Sequence, residues 1–279
     1  FFKQKTAYEI VDCDWSSDVC SSDLPISGSF TMNKPIAVIG SEGKTGKSII
    51  AALGARNYST RALNRSNIDL ESGHGLEENF ENVAAVYALA PNFHPDELGI
   101  AARVVLAARN AGVPRLVFHS VLQPQLPQMP HHVAKSEAEE IYINSGIEWA
   151  ILQPCAYAQN LTAAVVANLP YSPEARFGFV DIADMAQAAV RLLTDPSTTH
   201  GIYEACGPET SVAEVGELMG WEVGRQRFKS DGSYAGDCME AMFEYYELHG
   251  LRGSSLTLKM LLEREPSHAV SALKKSLRF

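Results

Sequence analysis

The sequence predicts an α/β protein: a doubly wound parallel sheet with a small C-terminal lobe. Three observations carry that expectation. The run PIAVIGSEGKTGKSII from Pro35 sets a buried strand, a glycine turn and the opening of a helix in direct succession. Further apolar strands then alternate with helical periods, the pattern of βαβ units and a parallel sheet covered on both faces. The 279 residues, 46% hydrophobic and 20% charged, suit one large globular body or a domain with a smaller companion.

The elements follow in order. After the glycine turn a helix runs to about Ala55. Tyr58–Arg65 reads as a second strand, and a short, weak one is expected near Ile68, with Asp69 inside or after it. Ala84–Pro91 is a buried strand. A helix spans about Pro95–Ala111, with Ile100, Val104, Val105 and Ala108 on one face and Gly112 as its stop. Arg115–Val121 is the next strand. A loop with Pro124, Pro127 and Pro130 leads to a helix over about His132–Ser145, and WAILQPC forms a strand ending near Cys155. The second half is less regular. It offers a helix over Asp181–Leu193 with Asp181 and Asp184 as caps, a strand at GIYEACG, and helices over Ser211–Met219 and Met239–His249. The expected division is 1–31 as an extension, 32–155 as the core that carries the glycine turn, and 156–279 as a C-terminal lobe partly rejoining that core.

Residues 1–24 do not read as natural protein. DWSSDVCSSDL, Asp14–Leu24, resembles the translation of a sequencing-library adapter, and the expected start is Met32. Setting residues 1–24 aside leaves Cys155, Cys206 and Cys238, widely spaced and without a C-x-x-C pattern. That usage predicts reduced thiols and a cytoplasmic protein. No metal-ligand spacing is present, because the adjacent His131 and His132 face two ways. No apolar run is long enough for a membrane span. A net charge of −10 argues against a general nucleic-acid binder.

The glycine turn is the chemical signal. A strand, a glycine turn and a helix N-terminus present outward N–H groups and a favourable dipole to a pyrophosphate. Gly40, Gly43 and Gly46 supply the tight turn, the close approach and the helix–strand packing, with Lys44 and Thr45 between them. The spacing is G-x-x-G-x-x-G rather than the usual dinucleotide G-x-G-x-x-G. Gly46-Lys47-Ser48 resembles the end of a triphosphate-binding P-loop, but the glycine that should open such a loop falls at Ser41. Nor do the later strands end in the Asp that would help hold magnesium. A dinucleotide is therefore the expected ligand. It should lie beyond the strand ends, in one crevice walled by Gly40, Asn64–Arg65, Ala90–Pro91, His119–Ser120 and Gln153–Pro154. The second strand ends in Asn64 and Arg65 rather than an acid, and a guanidinium suits a 2′-phosphate, so NADP(H) is expected over NAD(H).

GSEGKTG, TRALNR, VYALAP, NAGVPRLVFHSV, HHVAKSEAEE, SGIEWAILQPCAYAQNL and FVDIADMAQAAV follow one another as in the NmrA-like family, which the chain resembles from Met32 onward. These are atypical short-chain dehydrogenases/reductases, and YYELHGLRGSS…LLEREPS resembles the tail of the bacterial members. The resemblance implies a Rossmann fold, NADP(H), and either quinone or dye reduction or cofactor sensing without turnover.

It also implies site roles. Short-chain reductases use a Ser followed by Tyr-x-x-x-Lys; Ser120 and Lys135 fall at the first and last positions, and His131 stands where the tyrosine belongs. The missing phenol takes away the usual proton donor for a ketone. An imidazole is an alternative donor, and a quinone demands less, since its reduced phenolate is protonated by solvent. Lys135 is expected at the nicotinamide ribose, against the plainer reading of a solvated lysine beside Glu137 and Glu139. Ser120 and His119 stand equally for function and for strand-end packing. Pro154, Tyr157 and Asn160 match the segment that walls the nicotinamide and substrate pocket, although Tyr157 suits a core position equally. The expected partner is a small-molecule acceptor, with no nucleic acid and no membrane. A homodimer or a regulatory protein partner stays open.

Overall fold

A computed structural model describes residues 34–277. The extension 1–31, the adapter-like segment and the start at Met32 lie outside the described residues.

The strands are β1 (Ile36–Ile39), β2 (Thr60–Leu63), β3 (Ala85–Ala88), β4 (Arg115–His119), β5 (Glu148–Pro154), β6 (Arg176–Phe177), β7 (Gly201–Ala205) and β8 (Thr210–Ser211). Six of them form one sheet in the order β2-β1-β3-β4-β5-β7, with every pairing parallel. The direction of winding reverses at β1, so the glycine turn that follows it opens on the crevice at the switch point.

The helices are α1 (Lys44–Gly54), α2 (Leu76–Phe80), α3 (Glu97–Asn110), α4 (Pro130–Ile143), α5 (Ala163–Val166), α6 (Ile182–Thr194), α7 (Val212–Met219), α8 (Tyr234–His249), α9 (Leu256–Leu262) and α10 (Ala269–Ser276). Alternation along the strands builds the two faces. Ala37, Ile39, Val86, Leu116 and Phe118 pack with Ile100 and Val104 of α3 and Tyr142 of α4. Ile36, Val38, Tyr87, Val117 and Leu152 face Ile49 and Leu53 of α1 and Met185 and Ala189 of α6.

A third core lies in the C-terminal lobe. Phe177 stacks on Phe179 at 4.8 Å between ring centroids, and Tyr246 of α8 meets Phe177 edge-on at 5.1 Å. There β6 and β8 pair antiparallel. A capping box follows, in which Ser211 Oγ accepts from the Glu214 N–H and the Glu214 side chain accepts from the Ser211 N–H. Strand β7 comes from this half of the chain yet completes the main sheet beside β5.

Three expectations are corrected. No strand forms at Ile68; the Asn67 and Ile68 N–H groups both bond back to the Asn64 carbonyl, and Asp69 Oδ1 accepts from the Glu71 N–H. Local polar turns therefore take the backbone groups that a strand would need. Asp181 caps α6 by accepting from Ala183 N–H, but Asp184 does not cap. It is buried, binding the Arg264 guanidinium and the Ser267 N–H, each at 2.6 Å, and so ties α6 to the segment before α10. Ser233 starts α8 five residues earlier than its apolar pattern suggests, accepting from the Gly236 N–H at 3.0 Å. Cys155, Cys206 and Cys238 are buried free thiols.

Candidate cofactor and acceptor cleft

The glycine turn is dictated by close packing. Gly40 has φ +70°, a conformation open to glycine, and a β-carbon on Gly46 would collide with the Gly40 carbonyl oxygen. Gly43 is the N-cap of α1, and no side chain caps the first turn, which contains no acidic residue. The N–H groups at that end are therefore available to an anion. This is what a pyrophosphate requires, so the residues present fit a dinucleotide.

The turn opens on a cleft of about 880 Å³. Gly40, Gly43, Lys44, Thr45, Asn64, Arg65, Ala90 and Pro91 all line it. Tyr157, Asn160 and His119 line it as well. Two contacts span the gap: Lys44 Nζ donates to Asn160 Oδ1 at 3.0 Å, and Thr45 Oγ1 lies 3.2 Å from the Tyr157 hydroxyl. The Arg65 side chain is exposed, with no hydrogen bond or ion pair among the described residues. A second hollow, about 710 Å³, lies in the C-terminal lobe beside Leu169, Phe228 and Phe243 and shares no wall with this cleft.

The other expected residues sit elsewhere. Gly46 is buried beneath the turn, and Pro154 is buried at the end of β5 without lining the cleft. Ser120 is buried behind the end of β4. Lys135 is also buried, its Nζ 2.7 Å from Glu97 Oε1 and 3.3 Å from the His119 carbonyl oxygen, above the Phe118 ring. Its amine is thus engaged inside the sheet–helix layer, and the solvated reading does not describe it. His131 packs against Phe93 with ring centroids 4.7 Å apart and does not line the cleft. Burial, with Lys135 and His132 nearby, pushes its pKa down to about 3, so at neutral pH no imidazolium is present to donate a proton.

His119 and Tyr87 are the residues that sequence reasoning undervalued. His119 ends β4 and is buried, and burial with the Lys135 charge lowers its pKa to about 3. Its neutral ring lies between two phenols: Nδ1 meets the Tyr87 hydroxyl, and Nε2 lies 3.2 Å from the Tyr157 hydroxyl. The Tyr87 proton has two acceptors, His119 Nδ1 and, at 4.0 Å, Met185 Sδ. The ring nitrogen is the stronger, which assigns the ring proton to Nε2 and makes it the donor to Tyr157. The Tyr157 proton is then left for Thr45 or for a ligand in the cleft. Burial raises the pKa of Tyr157 and holds it as a phenol. Nothing in the sequence singles out Tyr87, because only the β3–β4 pairing brings it to His119. Among the described residues no group of His, Cys, Asp and Glu is placed to hold a metal ion, and no helix is long and apolar enough to cross a membrane.

The family model of the NmrA-like family matches residues 32–232. An NAD(P)H azoreductase of Xenophilus azovorans is 27% identical over 72% of this chain and 74% of its own length. Among solved structures, the NADPH-dependent quinone oxidoreductase of Escherichia coli complexed with NADPH superposes with a TM-score of 0.72 at 18% identity. That alignment covers 87% of this chain and 99% of the other. NmrA, a negative transcriptional regulator in complex with NAD, gives 0.72 at 15% identity over 89% and 98% of the two chains. At those identities the two structures establish a shared fold.

Proposed function

Because the chain belongs to the NmrA-like family, we propose that it is an NAD(P)H-dependent oxidoreductase passing hydride to a quinone or a similar small conjugated acceptor. One observation carries the reading: the uncapped N-terminus of α1 and the Tyr157–His119 pair share a single cleft. The α1 end, Gly40 and Gly43 would take the pyrophosphate, and Arg65 the charge at the adenosine ribose. When bound, the nicotinamide supplies the hydride. Tyr157 would border the acceptor and present its phenol proton to the oxygen or nitrogen that gains electron density. The azoreductase relative supports a conjugated acceptor.

The test is oxidation of NADPH and NADH with a panel of quinones and azo dyes. Turnover with at least one acceptor is the expected result; tight coenzyme binding without any turnover overturns the enzyme assignment. A second reading, a sensor that binds the coenzyme and reports its state to a protein partner, draws on His131. The residue in the tyrosine position lies outside the cleft and stays neutral. A sensor would change partner or oligomeric state with NADP(H) and show negligible turnover.

A further inference from the structure

We infer that Glu42 is a specificity-determining residue of this cleft. Its carboxylate and the Arg65 guanidinium read the ribose 2′ position in opposite senses, so that the site takes NADH as well as NADPH. The inference rests on the dinucleotide reading above. Glu42 belongs to the glycine turn and lines the same end of the cleft as Asn64 and Arg65. Asn64 Nδ2 donates to Glu42 Oε1 at 3.2 Å. Asn64 is itself fixed: its Oδ1 accepts from the Ser66 N–H at 2.8 Å and from Ser66 Oγ at 2.6 Å. The carboxylate is thereby held at the carboxyl end of β2, where an acid serves a free ribose hydroxyl and opposes a phosphate. Glu42 Oε2 has no hydrogen-bond partner among the described residues, and so remains an open acceptor.

The surrounding charge points the same way. Asp69 and Glu71 line the same cleft, whose lining therefore holds three carboxylates against the one guanidinium of Arg65. Asp69 is occupied by its own turn, accepting from Glu71 N–H and Ser72 Oγ, and Glu71 lies 3.5 Å from His94 Nε2. Lys44, the other cation on the wall, is directed to Asn160. Glu42 is therefore the carboxylate both unneutralised and fastened beside the β2 end.

The experiment is equilibrium titration of the full chain with NADPH and with NADH, followed by fluorescence, for the natural sequence, Glu42→Gln and Arg65→Gln. The natural sequence should bind the two coenzymes with Kd values within about tenfold of each other, an attractive and a repulsive charge nearly offsetting. Glu42→Gln should tighten NADPH by about five- to tenfold and weaken NADH by about twofold or more, since one like charge is removed and one acceptor weakened. Arg65→Gln should weaken NADPH by about tenfold with NADH changed less than about twofold. The Glu42→Gln effect on NADPH should shrink as salt is raised. If Glu42→Gln leaves the NADPH-to-NADH preference unchanged while both coenzymes bind, the role of Glu42 is overturned and the cofactor reading stands. If the natural sequence binds neither coenzyme, the cofactor reading itself fails, and the role of Glu42 with it.

Discussion

The Tyr157 hydroxyl lies 3.2 Å from His119 Nε2, joining the loop after β5 to the end of β4 at the back of the cleft. The same hydroxyl reaches Thr45 at 3.2 Å, so one oxygen links the sheet to the first turn of α1. Replacing Tyr157 by Phe deletes both links and little else. Acceptor kcat/KM should fall by about tenfold, the worth of one well-placed hydrogen bond in a partly buried site, while coenzyme Kd changes by less than about threefold. Steady-state kinetics beside a binding titration checks this; unchanged kcat/KM would remove Tyr157 from the acceptor site.

Lys135 and Glu97 form an ion pair in which both side chains are almost fully buried, and Glu97 Oε2 has no hydrogen-bond partner. Lys135→Met strands the carboxylate and should cost about 3–5 kcal/mol of stability. The double variant Lys135→Met with Glu97→Leu should recover most of that loss. Urea unfolding of the single and double variants measures the difference, and a single variant as stable as the natural chain would contradict the pairing.

Acid should unfold the protein through its histidines. His119 and His131 are held neutral, with pKa near 3 against an ordinary 6.5. Their folded values are depressed, so the unfolded chain binds protons first. Their contribution is complete above pH 6.5 and is lost as pH falls toward 3. Well below 6.5 the two together should lower stability by up to about 2.7 kcal/mol per pH unit. Replacing His131 by Phe should reduce that slope by about half, which denaturation at a series of pH values will register.

Gly46 cannot take a side chain without moving the Gly40 carbonyl and Ser41. Gly46→Ala should destabilise the fold by about 1–3 kcal/mol and abolish coenzyme binding, because the displaced backbone carries the anion-facing N–H groups. Thermal melts with and without NADPH test both parts: the variant should melt lower and gain nothing from the coenzyme.

Much of the main sheet was legible because its signals are local. IAVI and AVYA are continuous apolar runs, as is the LVF at the centre of RLVFH, and each lies in a buried strand. The glycine turn was readable for the same reason. What failed was non-local or short. LEENF is a five-residue helix, too short for its period to repeat, and β6 and β8 have two residues each, meaningful as a pair across the lobe. Near Ile68 a weak strand preference lost to side chains that bond their own backbone. The cleft divides similarly. Gly40, Gly43, Asn64, Arg65, Ala90 and Pro91 come from turn chemistry and strand ends, which a sequence displays, and all line it. The burial of Lys135 is not legible because its partner, Glu97, is 38 residues away, and nothing in the α4 sequence announces that contact. His131 lies on the inward side of α4 against Phe93, a packing decision made by another loop.

Strand β7 pairs with β5 along Ala150–Pro154, yet it is supplied by residues 201–205, after the first layers of the lobe have been spelled out. During synthesis, β5 must therefore emerge as a bare edge and wait roughly fifty residues for its neighbour. Completion of the sheet is a late step in biogenesis, and any premature stop before Gly201 releases a chain with an apolar, ladder-ready margin.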